Sequence, residues 1–428
     1  MTIGVFVNGV GEMSMDLGQG AVATDRPQAE QPVPLRRNRR FQLLWGGAAS
    51  AMLGTCVADT AYPLLLLAMT GSASLAGAFG AVQFASSAVF GLHGGSLADR
   101  HDRCRILLAA DGVRLLAALS VVAAMALHHL TVPHTLLVAA VLGATMAYGG
   151  PVRMLAIRSV VPPEQLRQAL AQDELRVNGS ALLGPPLAGF LFGLGGAVPF
   201  LTTALTSLLA LTAAGAVRFE SPTAEGRGER GGVLDGLRHL FSAPLLRSTL
   251  LVTLALNLTG SAMLLAVMVM LRNGGTSSTG TGFALAGEAV GGLLGAPLVT
   301  RLHRRLAPGA LLLSVGWLGV VLFLVPAAVG GPVAVFCSLA AMTLGVPSLR
   351  VMVDVLIFQR VPDELRGRVI AATMTVLMVG LPIGTFVSGL LLDHLAPQAV
   401  LVLFAGVLAL GLLPATLGRS LRGTAWPV

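Results

Sequence analysis

The 428-residue chain has no lysine; all 28 of its basic residues are arginine. Charge of either sign is scarce, at 11% of residues, where a soluble domain carries about a quarter. With 54% of the chain hydrophobic and a mean hydropathy of +0.80, too few charges remain to coat a water-soluble fold. The three cysteines, Cys56, Cys104 and Cys337, stand singly and far apart, which excludes a disulfide framework and a thiolate metal site. There is no Walker-type phosphate loop, no HExxH and no nucleophile elbow, so neither an enzyme nor a bound cofactor is expected, and ATP is not a fuel the chain handles by itself. The first 35 residues lack the charged start and cleavage site of a signal peptide, and DRPQAEQPVP reads as a disordered tail. The missing lysine, with abundant alanine, glycine and proline, fits a GC-rich bacterial genome.

What is present is long apolar runs separated by short charged ones. GSLADRHDRCR, Gly95 to Arg105, puts five charges between two such runs; a cluster like this cannot lie in hydrocarbon and marks a polar hairpin between two membrane helices. About 20 apolar residues cross a bilayer, and twelve such spans fit, at 43–67, 75–98, 106–127, 135–157, 174–194, 197–217, 248–271, 280–300, 309–329, 332–357, 368–392 and 398–418. Arginines fall in alternate loops: Arg36, Arg37, Arg39 and Arg40 before the first span, Arg100, Arg103 and Arg105 after the second, then Arg158 and Arg167, the run from Arg218 to Arg247, Arg301, Arg304 and Arg305, Arg360 and Arg366, and Arg419 and Arg422 at the end. The opposite loops hold none except Arg272. The positive-inside rule then places both termini in the cytoplasm of a multi-pass protein of the bacterial inner membrane. The net charge of +8 is spread over every cytoplasmic loop, which suits anionic headgroups of the lipid bilayer and not nucleic acid.

The chain also repeats at about 200 residues: Gly91 and Gly95 recur as Gly291 and Gly295, Arg105 as Arg305, PEQLR at 163–167 as PDELR at 362–366, and GPPLAG at 184–189 as GLPIG at 380–384. Two six-span halves, the parallel arrangement of one class of secondary transporter, are the simplest account. The expected divisions are a disordered tail at 1–40, an N-terminal bundle at 41–218, a linker at 219–247 carrying an amphipathic helix in GVLDGLRHLFSAPLLR, a C-terminal bundle at 248–418 and a tail at 419–428.

Ionisable groups inside spans are costly unless paired or wet, and so are functional candidates. Asp59 lies in the outer half of the first span and Glu288 about eight residues into the eighth. Burial disfavours the ionised form, so a carboxyl alternating between dry and wet surroundings can take up and release protons; registry hydrogen bonding is the other reading. Asp111 with Arg114, three apart in the third span, and Arg350 with Asp354, four apart in the tenth, each share a helix face and read as structural pairs or gate elements. Arg153 and the cluster Asp173, Glu174 and Arg176 have the same two readings. His128, His129 and His134 share one loop without a carboxylate or cysteine beside them, so no metal site is expected. Small residues at four-residue spacing, Gly91 and Gly95, Gly184 to Gly193, Gly287, Gly291 and Gly295, and Gly380, Gly384 and Ser388, allow close helix approach. Met263, Met268, Met270, Met374 and Met378 either line an apolar cavity or fill gaps.

GSLADRHDRCR resembles the loop signature of the major facilitator superfamily, and TGSASLAG, ADRHDRCRILLAADGVR and NGSALLGPPLAGFL are similar to the branch holding the enterobactin exporter and macrolide efflux proteins. Asp102 stands where the signature has glycine, and Val299 replaces the acid in the second copy. The resemblance implies an all-α membrane protein of twelve transmembrane helices in two pseudo-symmetric bundles. It implies that Asp99, flanked by Gly95, Arg100, Arg103 and Arg105, holds the cytoplasmic side shut against the eleventh helix, near Arg368. A carboxylate at a helix N-terminus contributes up to about 2 kcal/mol; a merely topology-setting loop is the other reading. It implies that Gly184, Pro185, Pro186 and Gly189 resemble an antiporter signature, the plain alternative being a proline kink, and that the second, fifth, eighth and eleventh helices line the seam between halves. The expected activity is export of a hydrophobic or amphipathic small molecule in exchange for protons, by a monomer, with siderophore export or uptake as alternatives.

Overall fold

The computed structural model describes residues 34–100, 102–217 and 233–418; the side chains of 92–100 and of scattered other helical positions fall outside the description. Among these residues there are only helices. They are α1 (Arg39–Thr70), α2 (Ala73–Arg100), α3 (Arg103–Ala126), α4 (Val132–Ser159), α5 (Leu166–Leu194), α6 (Val198–Ala216), α7 (Val233–Ser242), α8 (Pro244–Asn273), α9 (Ser278–Leu285), α10 (Gly287–Gly295), α11 (Val299–Arg305), α12 (Pro308–Val329), α13 (Gly331–Thr343), α14 (Val346–Arg360), α15 (Asp363–Leu392) and α16 (Pro397–Leu417). Twelve helical stretches are long and apolar enough to cross a membrane. Of these, α9 to α11 together make the eighth and α13 with α14 the tenth.

Leu116 and Leu410 are each 67% exposed and Val333 71%, apolar surface that only lipid can cover. Inside, α1 packs on α5 and α6, α2 on α4, α3 on α4 and α6, while α8 packs on α15 and α16, and α12 on α16. Tyr62 ties α1 to α2 and α6 by stacking on Phe79 at 4.6 Å and meeting Phe200 at 4.7 Å. Helix α7 lies in the expected linker and docks on α8 and α15, with Leu240 buried near Leu246, Leu250 and Ile357. Residues 218–232, the first part of that linker, lie outside the described residues, as do both expected tails apart from residues 34–40. Met263, Met268 and Met270 are buried core residues, whereas Met374 and Met378 are exposed.

The first six spanning helices meet the last six along two seams, α2 with α15 and α5 with α9. These are the expected second, eleventh, fifth and eighth spans, yet most of the expected glycine stripes do not face the seams. A side chain on Gly287, Gly291 or Gly295 would strike Phe336, Ala340 or Leu344 of the tenth span, and one on Gly380 or Gly384 would strike Leu254 or Leu258 of α8. Ser388 likewise donates to the Ala262 carbonyl at 2.9 Å. The four-residue period creates a flat face without choosing its partner, and here it serves packing within one half. Gly91 meets open space. The close approaches across the seams are made by Gly77 and Gly80 against Thr385, by Gly389 against Ala73 and Gly77, and by Gly189 against Ser278 and Gly282. All lie at the end opposite the arginine-rich loops.

Gly291→Leu forces a side chain into the Ala340 carbonyl and the Thr343 hydroxyl. Overpacking of this kind costs about 1–3 kcal/mol, so the heat-unfolding midpoint in detergent should fall. Gly292→Ala, placed in open space, should leave it unchanged.

Candidate functional site

The eighth span breaks at Ala286, whose amide reaches both the Gly282 and the Phe283 carbonyls at 3.2 Å. It thereby ends α9 and opens α10. Glu288 follows two residues later, in the first turn of α10. Its backbone carbonyl accepts from Thr343 Oγ1 at 2.7 Å. Among the described residues nothing hydrogen-bonds its carboxyl. On α1, Asp59 Oδ1 accepts from the buried Gln83 amide at 2.8 Å, and Gln83 Nε2 also lies 3.6 Å from Met146 Sδ. Asp59 and Glu288 are surrounded by protein yet expose surface. The half-buried Cys56, one turn before Asp59 on α1, lies within electrostatic reach of both carboxylates. Two acids, one from each set of six spans, therefore act on the same thiol.

Behind Asp59 runs a buried ionic network. Asp111, fully buried, holds Arg153 of α4 in a short ion pair through Oδ1 and Arg114 of its own helix at 3.8 Å through the same oxygen. Arg114 Nη2 reaches Thr145 Oγ1 at 3.4 Å and lies within the field of Asp59. Arg153 lies within the field of Arg176, which donates to Asp173 at 2.8 Å and to the Ala48 carbonyl at 3.1 Å. The sequence pairs Asp111 with Arg114 by spacing but leaves Arg153 separate, and no local signal announces the Gln83 or Arg153 partnerships. Arg350 and Asp354 form no ion pair among the described residues; Arg350 is exposed, and a basic residue four positions before an acid is the weaker order on a helix.

A model of the Major Facilitator Superfamily matches residues 44–380. The chain belongs to that superfamily. It is similar to "Multidrug efflux pump Tap" of Mycobacterium tuberculosis, 26% identical over 388 residues covering 86% of this chain and 90% of that protein. It is similar also to "Macrolide efflux protein A" of Streptococcus pyogenes, 26% identical over 373 residues, 83% and 90% of the two chains. Among solved structures, a bacterial homologue of the human lysosomal transporter Spinster, inward-facing and unoccupied, matches with a TM-score of 0.72 at 15% identity over 92% of this chain and 99% of that one. This facilitator is thus a multi-pass membrane transporter and not an enzyme.

The facilitator's signature loop is described only in part. Asp99 and Arg100 close α2, but their side chains, and Gly95, lie outside the described residues, so the expected gate contact with α15 is not on view. Asp102, the departure from the signature, caps α3 by accepting from the Cys104 amide at 2.9 Å and lies 3.8 Å from Arg105 in an exposed pair. Helix capping explains an acid where glycine is usual. Arg103 opens α3. In α5, which runs unbroken through Pro185 and Pro186, Gly184 packs on Cys56 of α1, and Gly282 packs on the Pro185 carbonyl and on Gly189. The antiporter-like element therefore reaches from the helix beside Asp59 to the α5–α9 seam.

Proposed function

We propose that this facilitator exports a hydrophobic or amphipathic small molecule across the bacterial cytoplasmic membrane by alternating access, in exchange for protons, as a monomer with both termini in the cytoplasm. The observation that carries the reading is that Asp59 and Glu288, one acid from each six-helix set, both expose surface and both act on Cys56, while the two sets are joined at one end by glycine contacts. Acids so placed exchange protons with whichever side the cavity faces, and a cargo competing for them couples its exit to proton entry. The similarity to two proteins named for efflux supports the direction. The arginine-rich loops support placing the end opposite those glycine contacts in the cytoplasm. When the cavity faces outward, Asp99 at the end of α2 closes the cytoplasmic side against the start of α15.

The test is efflux of a fluorescent lipophilic dye from cells expressing the chain, with and without a protonophore. Efflux above vector control that stops when the gradient collapses is expected. Efflux that persists overturns proton antiport, and equal dye retention with several chemically distinct dyes and drugs overturns export.

A further inference from the structure

The outer ends of α2 and α15 are joined by more than glycine packing. Asp393 directly follows α15, and its carboxylate turns onto the first residues of α2. Oδ2 accepts from the Ser72 hydroxyl at 2.9 Å, while Oδ1 accepts from the Ala73 amide at 2.6 Å and the Ser74 amide at 3.2 Å. The first amides of a helix have no partner within it and carry the positive end of its dipole. An acidic side chain there normally comes from the preceding residue; here it comes from 320 residues away in the other six-helix set. Ser72 Oγ also lies 2.9 Å from Ser74 Oγ, which leaves the first turn of α2 held by Asp393 and its own serines. Directly below, a side chain on either Gly77 or Gly389 would strike the backbone of the other. The cap and the tight seam therefore exist together or not at all.

We infer that Asp393 is an outer latch: it caps α2 only while the outer ends of α2 and α15 touch, and it must let go for the cavity to open outward. The inference rests on the alternating-access reading above. Burial is the largest single influence and pushes this carboxyl up, but the hydrogen bonds from Ser74, Ser72 and the Ser74 and Ala73 backbone together outweigh it and hold its pKa below the ordinary value, so the cap is charged at neutral pH. The acid ending α15 serves the start of α2 at the outer face. The sequence hides this, because Asp393 reads as an ordinary loop residue and its partner is decided by the fold.

The test uses the full chain carrying Cys104→Ala and Cys337→Ala, which leaves Cys56, half-buried on α1 against Gly184 of α5, as the one reporter thiol. A membrane-impermeant maleimide applied to intact cells reaches Cys56 when the outer side opens; applied to inverted vesicles it reaches Cys56 when the inner side opens. Asp393→Ala should raise the outside labelling rate roughly two- to thirtyfold, the population shift a lost helix cap produces. Asp393→Asn, which keeps the shape and one acceptor oxygen, should fall between. In a separate arm, Ser72→Cys with Asp393→Cys should stop dye efflux on oxidation and regain it on reduction. Equal outside labelling with and without the Asp393 carboxylate overturns the latch while leaving alternating access standing. Labelling of Cys56 from inside only, in every variant, overturns alternating access itself.

Discussion

Asp111→Ala is expected to be the most destabilising single substitution in the first six helices. It removes the one acid facing both Arg114 and Arg153, which are 6% exposed overall and 11% exposed at the side chain. Breaking a buried ion pair from one side costs about 3–5 kcal/mol, because the orphaned charge stays buried. Here two cations are orphaned, and they repel each other. The remaining compensation is weak: Thr145 offers Arg114 one hydroxyl at 3.4 Å, and Asp59 acts only through its field. Thermal unfolding in detergent should show a large drop for Asp111→Ala. Much of it should return when Arg153→Leu is added, since that removes the less compensated cation. The coupling between the two changes, read as a double-mutant cycle, is the energy of the pair. A variant in which Asp111, Arg114 and Arg153 all become apolar should be near wild type in stability. If that variant folds but no longer exports, the network acts in the transport cycle as well as in packing. An unchanged midpoint for Asp111→Ala would mean that the arginines are hydrated and not buried.

What was legible in the sequence is what acts locally. Scarce charge, the length of the apolar runs and the alternation of arginine loops lead to twelve spans, because each is a property of neighbouring residues in lipid. The Asp111–Arg114 pair is legible because residues three apart share a helix face. The failures share one cause. Gly287, Gly291 and Gly295 announce a flat surface but not what lies on it, and the structure sets the tenth span there instead of the seam. Arg350 and Asp354 have pairing geometry, yet exposure leaves Arg350 no reason to commit. Gln83 on Asp59 is 24 residues away along the chain, Arg153 on Asp111 is 42, and Asp393 on Ala73 is 320. No pattern within a single span encodes such contacts. The break at Ala286 left a faint trace in the glycines around it, Gly282 and Gly287, since weak helix formers accumulate where a helix is interrupted.

Glu288→Gln is expected to reduce gradient-driven dye efflux to the level of the vector control, and more completely than Asp59→Asn does. Both acids expose surface, but their surroundings differ. Asp59 is committed to the Gln83 amide and lies in the field of Arg114, so part of its work is balancing a buried cation. Glu288 has no hydrogen-bond partner for its carboxyl among the described residues and stands in the first turn of α10, free to change partners during the transport cycle. An amide has nearly the shape of a carboxyl and cannot ionise, so Glu288→Gln should fold normally and still bind cargo. Its diagnostic property is a split between two assays. Dye exchange across proteoliposomes with no proton gradient requires only the conformational cycle and should survive, while uphill efflux requires proton uptake and release and should vanish. Asp59→Asn should instead lower both assays in step, together with the unfolding temperature, because it strips Arg114 of a distant counter-charge. The reverse pattern, with Asp59→Asn uncoupled and Glu288→Gln merely weakened, would move proton coupling to the first helix. It would leave Glu288 as a ligand for the cargo.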